Sequence, residues 1–218
     1  MKRYHAICFD FDGVIGRTME DNYRAWRRAF QPYHIALNQV EYFLLEGLNV
    51  QGVAHAVLKK HGLDPSLAPL IVKAKEQFYR EDNSFAFYDG VEELISCLTG
   101  NFLLALVSGA SSTRLRATVR EEFLLHFQVI VTGDAVTRPK PDPEPYLAVA
   151  RRLSTPPAAC LVVENAPLGI RAAKEAGMDC VAVTTTLDRE YLTQADLIID
   201  KITDLQEILR LEGFLGVF

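Results

Sequence analysis

Six short runs of the chain are apolar at nearly every position: AICF (6–9), LLALV (103–107), VIVT (129–132), CLVV (160–163), CVAV (180–183) and LIID (197–200). Nearly continuous Ile, Val and Leu, without alternation, is the pattern of parallel strands covered on both faces. Between these runs the apolar spacing changes to that of helices, at 111–124, 142–153, 166–176 and 203–211. Strand alternating with helix predicts an α/β fold built on a doubly wound parallel sheet.

One interval breaks this rhythm. About ninety residues separate the first apolar run from the second, far more than a single crossover helix needs. Helical spacing recurs within it at 19–31, 39–46, 50–61 and 66–82, with HGLDPS marking a turn, and FAFYDGVEEL (85–94) brings the chain back to the core. This predicts an α-helical insert over 17–83 and a core made of 1–16 and 84–218. An insert at the carboxyl end of a strand hangs over the ligand crevice of such a sheet, so it is placed to act as a lid. Within it, YRAWRRAF is expected to pack Trp26 and Phe30 inward while its arginines face solvent.

The composition narrows the classes. With 218 residues, 49% hydrophobic and 23% charged, the chain reads as an ordinary globular protein with enough length for a substantial core. A formal charge of −5 and the lack of any basic stripe argue against nucleic acid as a partner. No window approaches the roughly 20 apolar residues of a membrane-spanning helix, so no membrane association is expected. The four cysteines are scattered without a C-x-x-C, as buried thiols in a reducing cytoplasm would be. A cytoplasmic monomer or weak dimer is expected.

Chemistry in an open parallel sheet gathers at the carboxyl ends of the strands. After the first strand stand Asp10 and Asp12, whose i, i+2 spacing aims both to one side of an extended chain, followed by Gly13. Two carboxylates this close repel, and a hard cation with oxygen ligands would neutralise them; a solvated strand end is the plainer alternative. After LLALV come Ser108, Gly109 and Ala110 ahead of a helix, which is either an anion cradle or a simple helix cap. Lys140, held between Pro139 and Pro141, is suited to aiming an ammonium at a phosphate, unless it is an ordinary surface lysine. Glu164 and Asn165 follow CLVV and could complete a metal shell or cap the next helix. Acids, an anion cradle, a lysine and further oxygen ligands at four ends of one sheet are what phosphoryl transfer requires.

The segments FDFDGVI, LVSGAS, RPKPDPEPYL and VVENAPLGIRAAKEAGM resemble, in order and spacing, the haloacid dehalogenase superfamily of phosphohydrolases. The subgroup resembled carries a helical cap after its first strand, and includes β-phosphoglucomutases and phosphoglycolate phosphatases. By that resemblance Asp10 is the nucleophile that becomes an aspartyl phosphate, and Asp12 the general acid and base. Ser108, with the N–H groups of Gly109 and Ala110, would hold phosphoryl oxygens, and Lys140 would pair with phosphate and Asp10. Magnesium would be the cofactor, bound by Asp10, the Asp12 carbonyl and an oxygen from the Glu164–Asn165 pair. The substrate implied is a small phosphorylated metabolite.

This chain departs from the common pattern at three places. Asn165 stands where many relatives carry Asp, which predicts weaker magnesium binding without loss of activity, with Glu164 able to supply charge. Arg17 lies where the chain enters the cap, to contact substrate or brace the hinge. At the spacing where mutase relatives often carry His, four residues after Thr18, this chain has Asn22, which lowers the mutase reading. Glu46, in the cap loop YFLLEGLNVQG (42–52), is a candidate substrate contact that suits a magnesium-bound pyrophosphate or a hydroxyl-rich sugar phosphate. A phosphatase is therefore the first reading, with a β-phosphoglucomutase-type isomerase and a catalytically silent binding module as alternatives. Dehalogenation is disfavoured because Asp12 is present, dinucleotide chemistry because no G-x-G-x-x-G follows the first strand, and zinc because no H-E-x-x-H occurs.

Overall fold

The computed structural model describes residues 4–211. Among them, strands β1 (Ala6–Asp10), β2 (Leu103–Val107), β3 (Val129–Val131), β4 (Cys160–Glu164), β5 (Asp179–Val183) and β6 (Leu197–Ile199) form one sheet. Its order is β3-β2-β1-β4-β5-β6 and every pairing is parallel. The apolar runs thus become buried strands, as their lack of alternation implied. Ala6 and Cys8 join the apolar cluster on one face, while Ile7 and Phe9 join the cluster on the other. β1 lies at the centre, and the strand order reverses on either side of it. That is where an open α/β sheet leaves a crevice.

Between β1 and β2 the chain runs through α1 (Met19–Phe30), α2 (Gln39–Phe43), α3 (Val50–Lys60) and α4 (Ala68–Glu81). Asn38 caps α2 through Val40 N–H at 2.9 Å, and Asn49 caps α3 through Gly52 N–H at 2.8 Å. Inside this helical layer Trp26 stacks on Phe30 with ring centres 5.4 Å apart, and Arg24, Arg27 and Arg28 point outward. The two passages between layers run side by side: Arg17 N–H donates to Ala86 O at 2.9 Å and Tyr88 N–H to Ile15 O at 3.1 Å. The Asp21 carboxylate ties the return passage down by accepting Ser84 N–H at 2.7 Å.

The remaining helices are α5 (Val91–Leu98), α6 (Ser112–Thr118), α7 (Glu121–Leu124), α8 (Glu144–Arg152), α9 (Pro167–Glu175) and α10 (Asp204–Leu211). Two expectations change. The single helix expected over 111–124 is two, because Val119 and Arg120 adopt extended backbone. Thr118 turns its hydroxyl onto Arg114 O at 2.9 Å, and the β-branched Thr118–Val119 pair is a weak place to continue a helix. The helix expected over 39–46 stops at Phe43, and residues 44–48 form a tight turn in which Gly47 takes φ +103°. Cys8, Cys97, Cys160 and Cys180 are all free thiols, and no described helix is long and apolar enough to cross a membrane.

Candidate active site

The strand ends converge under the helical layer. Lys140 is 2% exposed and donates to Asp10 Oδ1 at 2.5 Å and Glu164 Oε1 at 2.6 Å. It is not a surface lysine. Burial works against its charge, but Asp10 and Glu164 outweigh that and raise its pKa. Breaking such a buried pair from one side costs about 3–5 kcal/mol. Both Glu164 oxygens are engaged: Oε1 also accepts Tyr146 OH at 2.7 Å, and Oε2 accepts Asn165 N–H at 3.0 Å. A Cβ at Gly169 would fall 1.8 Å from Glu164 Oε1, so this carboxylate fills space that only glycine leaves. It stands behind Lys140 as an anchor.

Asp12 is 2% exposed and receives four donors. Thr18 Oγ1 lies at 2.6 Å and Asn22 Nδ2 at 3.3 Å from Oδ1; Ser108 Oγ and Arg114 Nη2 each lie 3.1 Å from Oδ2. Burial opposes its charge, yet Arg114 first and Thr18 next hold the Asp12 carboxyl below its ordinary value. Burial pushes Asp10 the other way, well above the carboxylate range, with Lys140 opposing and Glu164 and Asp12 adding to the rise. Two neighbouring acids therefore sit in opposite electrostatic settings, with the higher proton affinity on Asp10; a cation held by Asp10 would favour its charged form.

Neither candidate cap residue after the strands serves as a helix cap. Ser108 Oγ reaches Asp12 and accepts Ala110 N–H at 3.1 Å, while Ser111 is the residue that caps α6 through Arg114 N–H at 3.2 Å. Asn165 turns its amide from α9: Nδ2 donates to Thr186 Oγ1 at 3.0 Å, and Ala166 is the N-cap residue. Gly13, at φ +89°, leaves the room that Asn165 occupies, since a Cβ there would lie 2.2 Å from Nδ2. Asp10 Oδ2, at the end of β1, and Asn165 Oδ1, just past the end of the adjacent strand β4, are both buried and without a donor. Buried oxygens without partners are costly, and a hard cation supplies what this pair lacks. Among the described residues no three His, Cys, Asp or Glu side chains converge as a metal cluster, and beside Asp10 the Asn165 amide oxygen is the neighbouring buried acceptor without a donor.

The helical layer closes over this floor. A Cβ at Gly47 would lie 3.3 Å from Lys140 Cβ and 3.2 Å from Leu168 Cβ, and one at Gly109 would lie 2.8 Å from Leu48 O. Glu46 faces the same space, and Tyr42 OH donates to its Oε2 at 3.2 Å. Burial, and then Asp12, push the Glu46 carboxyl up to about 8. Arg17 lies apart from this cluster: its guanidinium is 5.8 Å from the Tyr88 ring centre, beside the hinge, in a groove of about 520 Å³ lined by neither Asp10 nor Asp12. Sequence reasoning passed over Lys75, Arg114 and Tyr146, and weighed Asn22 only as a missing histidine. Asn22 lies beside Asp12, but nothing in the spacing of α4 or α6 marks their cations as inward-facing.

The model of the haloacid dehalogenase-like hydrolases matches residues 7–183 of this chain. The chain belongs to that family. Validoxylamine A 7'-phosphate phosphatase of Streptomyces hygroscopicus subsp. limoneus is 29% identical over 93% of this chain and 96% of its own length. Fructose-1-phosphate phosphatase YqaB of Escherichia coli is 30% identical over 84% of the chain and 97% of that protein. The crystal structure of β-phosphoglucomutase from Clostridium difficile superposes with a TM-score of 0.80 at 25% identity, covering 97% of each chain. This haloacid dehalogenase-like hydrolase is thus an enzyme of the helical-cap branch, as FDFDGVI and its companion segments indicated.

Proposed function

We propose that the protein is a magnesium-dependent phosphohydrolase acting on a small phosphorylated metabolite through an aspartyl phosphate on Asp10. The observation that carries this reading is the geometry of two buried aspartates two residues apart: Asp10 is fixed by Lys140 and keeps one buried oxygen without a donor, and Asp12 is surrounded by hydroxyl and guanidinium donors. Asp10, Asn165 Oδ1 and the Asp12 carbonyl would hold the metal, with Glu164 anchoring Lys140 from behind. When bound, magnesium would neutralise charge on the transferring phosphoryl group, in a cluster where Asp10, Asp12 and Glu164 pair with Lys140 and Arg114.

In the first step an Asp10 oxygen attacks phosphorus, the bond from phosphorus to the ester oxygen breaks, and Asp12 gives that oxygen its proton. In the second step Asp12 takes a proton from water, the water oxygen attacks phosphorus, and the Asp10 carboxylate leaves with inorganic phosphate as product. Lys140 keeps Asp10 oriented throughout, and Ser108 with the N–H groups of Gly109 and Ala110 would receive the phosphoryl oxygens. The phosphatases named above support hydrolysis over transfer to a second sugar hydroxyl. Asn22, standing beside Asp12 where a mutase would place His, supports it too. Pyrophosphate remains within the reading, because a Glu46 held neutral does not repel a second phosphate.

The test is phosphate release from a panel of phosphorylated metabolites, with and without magnesium, for wild type and Asp10→Asn. Magnesium-dependent release that the variant loses while still folded is the expected outcome. Near-normal turnover by Asp10→Asn would overturn the mechanism, and indifference to chelator would overturn the metal.

A further inference from the structure

Asn165 can offer a cation only one of its two amide ends, because Oδ1 accepts and Nδ2 donates, and half a turn of the amide exchanges them. A carboxylate has no such choice to make. In this chain the choice is made at the far end of the side chain. Nδ2 donates to Thr186 Oγ1 at 3.0 Å, while Oδ1 is buried without a donor. A threonine hydroxyl could serve a carbonyl equally well by donating its proton, but that proton is directed to Asn165 O, at 3.5 Å. What remains at Thr186 Oγ1 is a lone pair, which suits Nδ2 and repels Oδ1. The opposite wall is Gly13, where a Cβ would fall 2.2 Å from Nδ2 and 2.8 Å from Cγ, so the amide sits in a fitted slot. The neighbouring Thr185 donates to Gly13 O and holds that wall in place. Both threonines stand in the loop that follows β5, the strand paired with β4, just past whose end Asn165 lies.

We propose that Thr186 is a positioning residue for the magnesium site: by accepting the Asn165 N–H2 group it keeps the Oδ1 acceptor free for the cation. The inference rests on the reading of Asn165 as a magnesium ligand beside Asp10. A carboxamide brings no net charge, so its whole contribution to a hard cation is one well-aimed oxygen, and the turned amide would set a donor there instead. Fixing the amide beforehand removes the molecules that would otherwise be turned the wrong way, and apparent affinity scales with the competent fraction. Without the hydroxyl, equal populations of the two orientations weaken magnesium binding about twofold. A preference for the turned amide weakens it further, up to roughly tenfold, the worth of one neutral hydrogen bond. With a carboxylate in place of the amide the same hydroxyl has nothing to select, since either oxygen serves.

The experiment follows the rise in melting temperature with magnesium concentration, which gives a dissociation constant with no substrate present. Thr186→Val keeps the branched shape and removes the hydroxyl, and is expected to raise that constant by about two- to tenfold. Thr186→Ser keeps the hydroxyl and is expected to stay at the wild-type value. In an Asn165→Asp background, adding Thr186→Val is expected to cost no affinity. A folded Thr186→Val that binds magnesium as the wild type does overturns the proposal, as does a serine variant that behaves like the valine one. An equal loss in both backgrounds also overturns it, because Thr186 would then only hold the loop. If the valine variant does not fold, Thr186→Ala takes its place in both backgrounds, with the same expected and refuting results. A wild-type melting temperature indifferent to magnesium removes the metal reading and the proposal together. Magnesium binding by the wild type that no change at Thr186 weakens removes the proposal alone.

Discussion

Gly109 offers a way to hold the cap ajar without touching a catalytic side chain. A methyl group there would meet the carbonyl oxygen of Leu48 at 2.8 Å, across the seam between core and cap. Carbon and oxygen settle at separations closer to 3.5 Å, so the loop would have to retreat by roughly half an ångström. Because the obstacle is a backbone carbonyl, no rotamer change relieves it. Moving the loop also withdraws Gly47 from Lys140 and Leu168, which it approaches with no Cβ of its own. Overpacking of this kind costs about 1–3 kcal/mol, which lowers the closed-to-open ratio by roughly 5- to 150-fold. The backbone of Gly109 lies outside the left-handed region, so alanine is not strained in the open state and the unfolded chain loses freedom. Gly109→Ala should therefore lower kcat/KM for phosphate release within that range while the melting temperature holds or rises. Trp26, the chain's single tryptophan, lines the space beside Asp12 and Glu46 and reports closure by fluorescence. Wild-type kcat/KM in a folded Gly109→Ala would refute the argument, since it would mean that this closed seam is not the state in which chemistry occurs.

Asn165→Asp should lower the magnesium concentration for half-maximal rate, because a charged oxygen replaces the unpartnered Oδ1 while Thr186 can turn its hydroxyl to donate; a higher requirement would argue against Asn165 as a ligand. Tyr146→Phe removes the 2.7 Å hydrogen bond that steadies Glu164 and so Lys140, and should cost about 0.5–3 kcal/mol of stability together with a fall in kcat, read by thermal melts and initial rates. Closure should also depend on pH through Glu46. Its carboxyl, raised to about 8 under the closed cap, binds more protons closed than open, so closure weakens as pH rises from the ordinary carboxylate range and levels off above about pH 8. Trp26 fluorescence across that window should show this trend in wild type and lose it in Glu46→Gln; an unchanged profile would remove Glu46 from the account.

Strand content was legible because parallel strands buried on both faces must be apolar at almost every position, whatever their neighbours. The helical insert was legible because ninety residues without a strand pattern cannot be a crossover. Asp10, Asp12, Ser108 and Lys140 could be listed because each lies at the carboxyl end of a strand or in the loop that follows one, and strand ends meet in one crevice. Spacing could not separate a cap from a ligand or a surface lysine from a buried one, since Ser108, Asn165 and Lys140 look alike in either role. Folding decided these: Lys140 is drawn 130 residues across the chain onto Asp10, and Asn165 fits the gap left by Gly13. The break after Thr118 and the early stop of α2 came from local side-chain bonds and a turn that periodicity does not encode. What only the tertiary structure decided is the meeting of Lys75, Arg114 and Asn22 beside Asp12. Helical spacing gives which residues share a face, but which two faces oppose each other depends on how cap and core close, and that is set by packing between segments far apart in the chain.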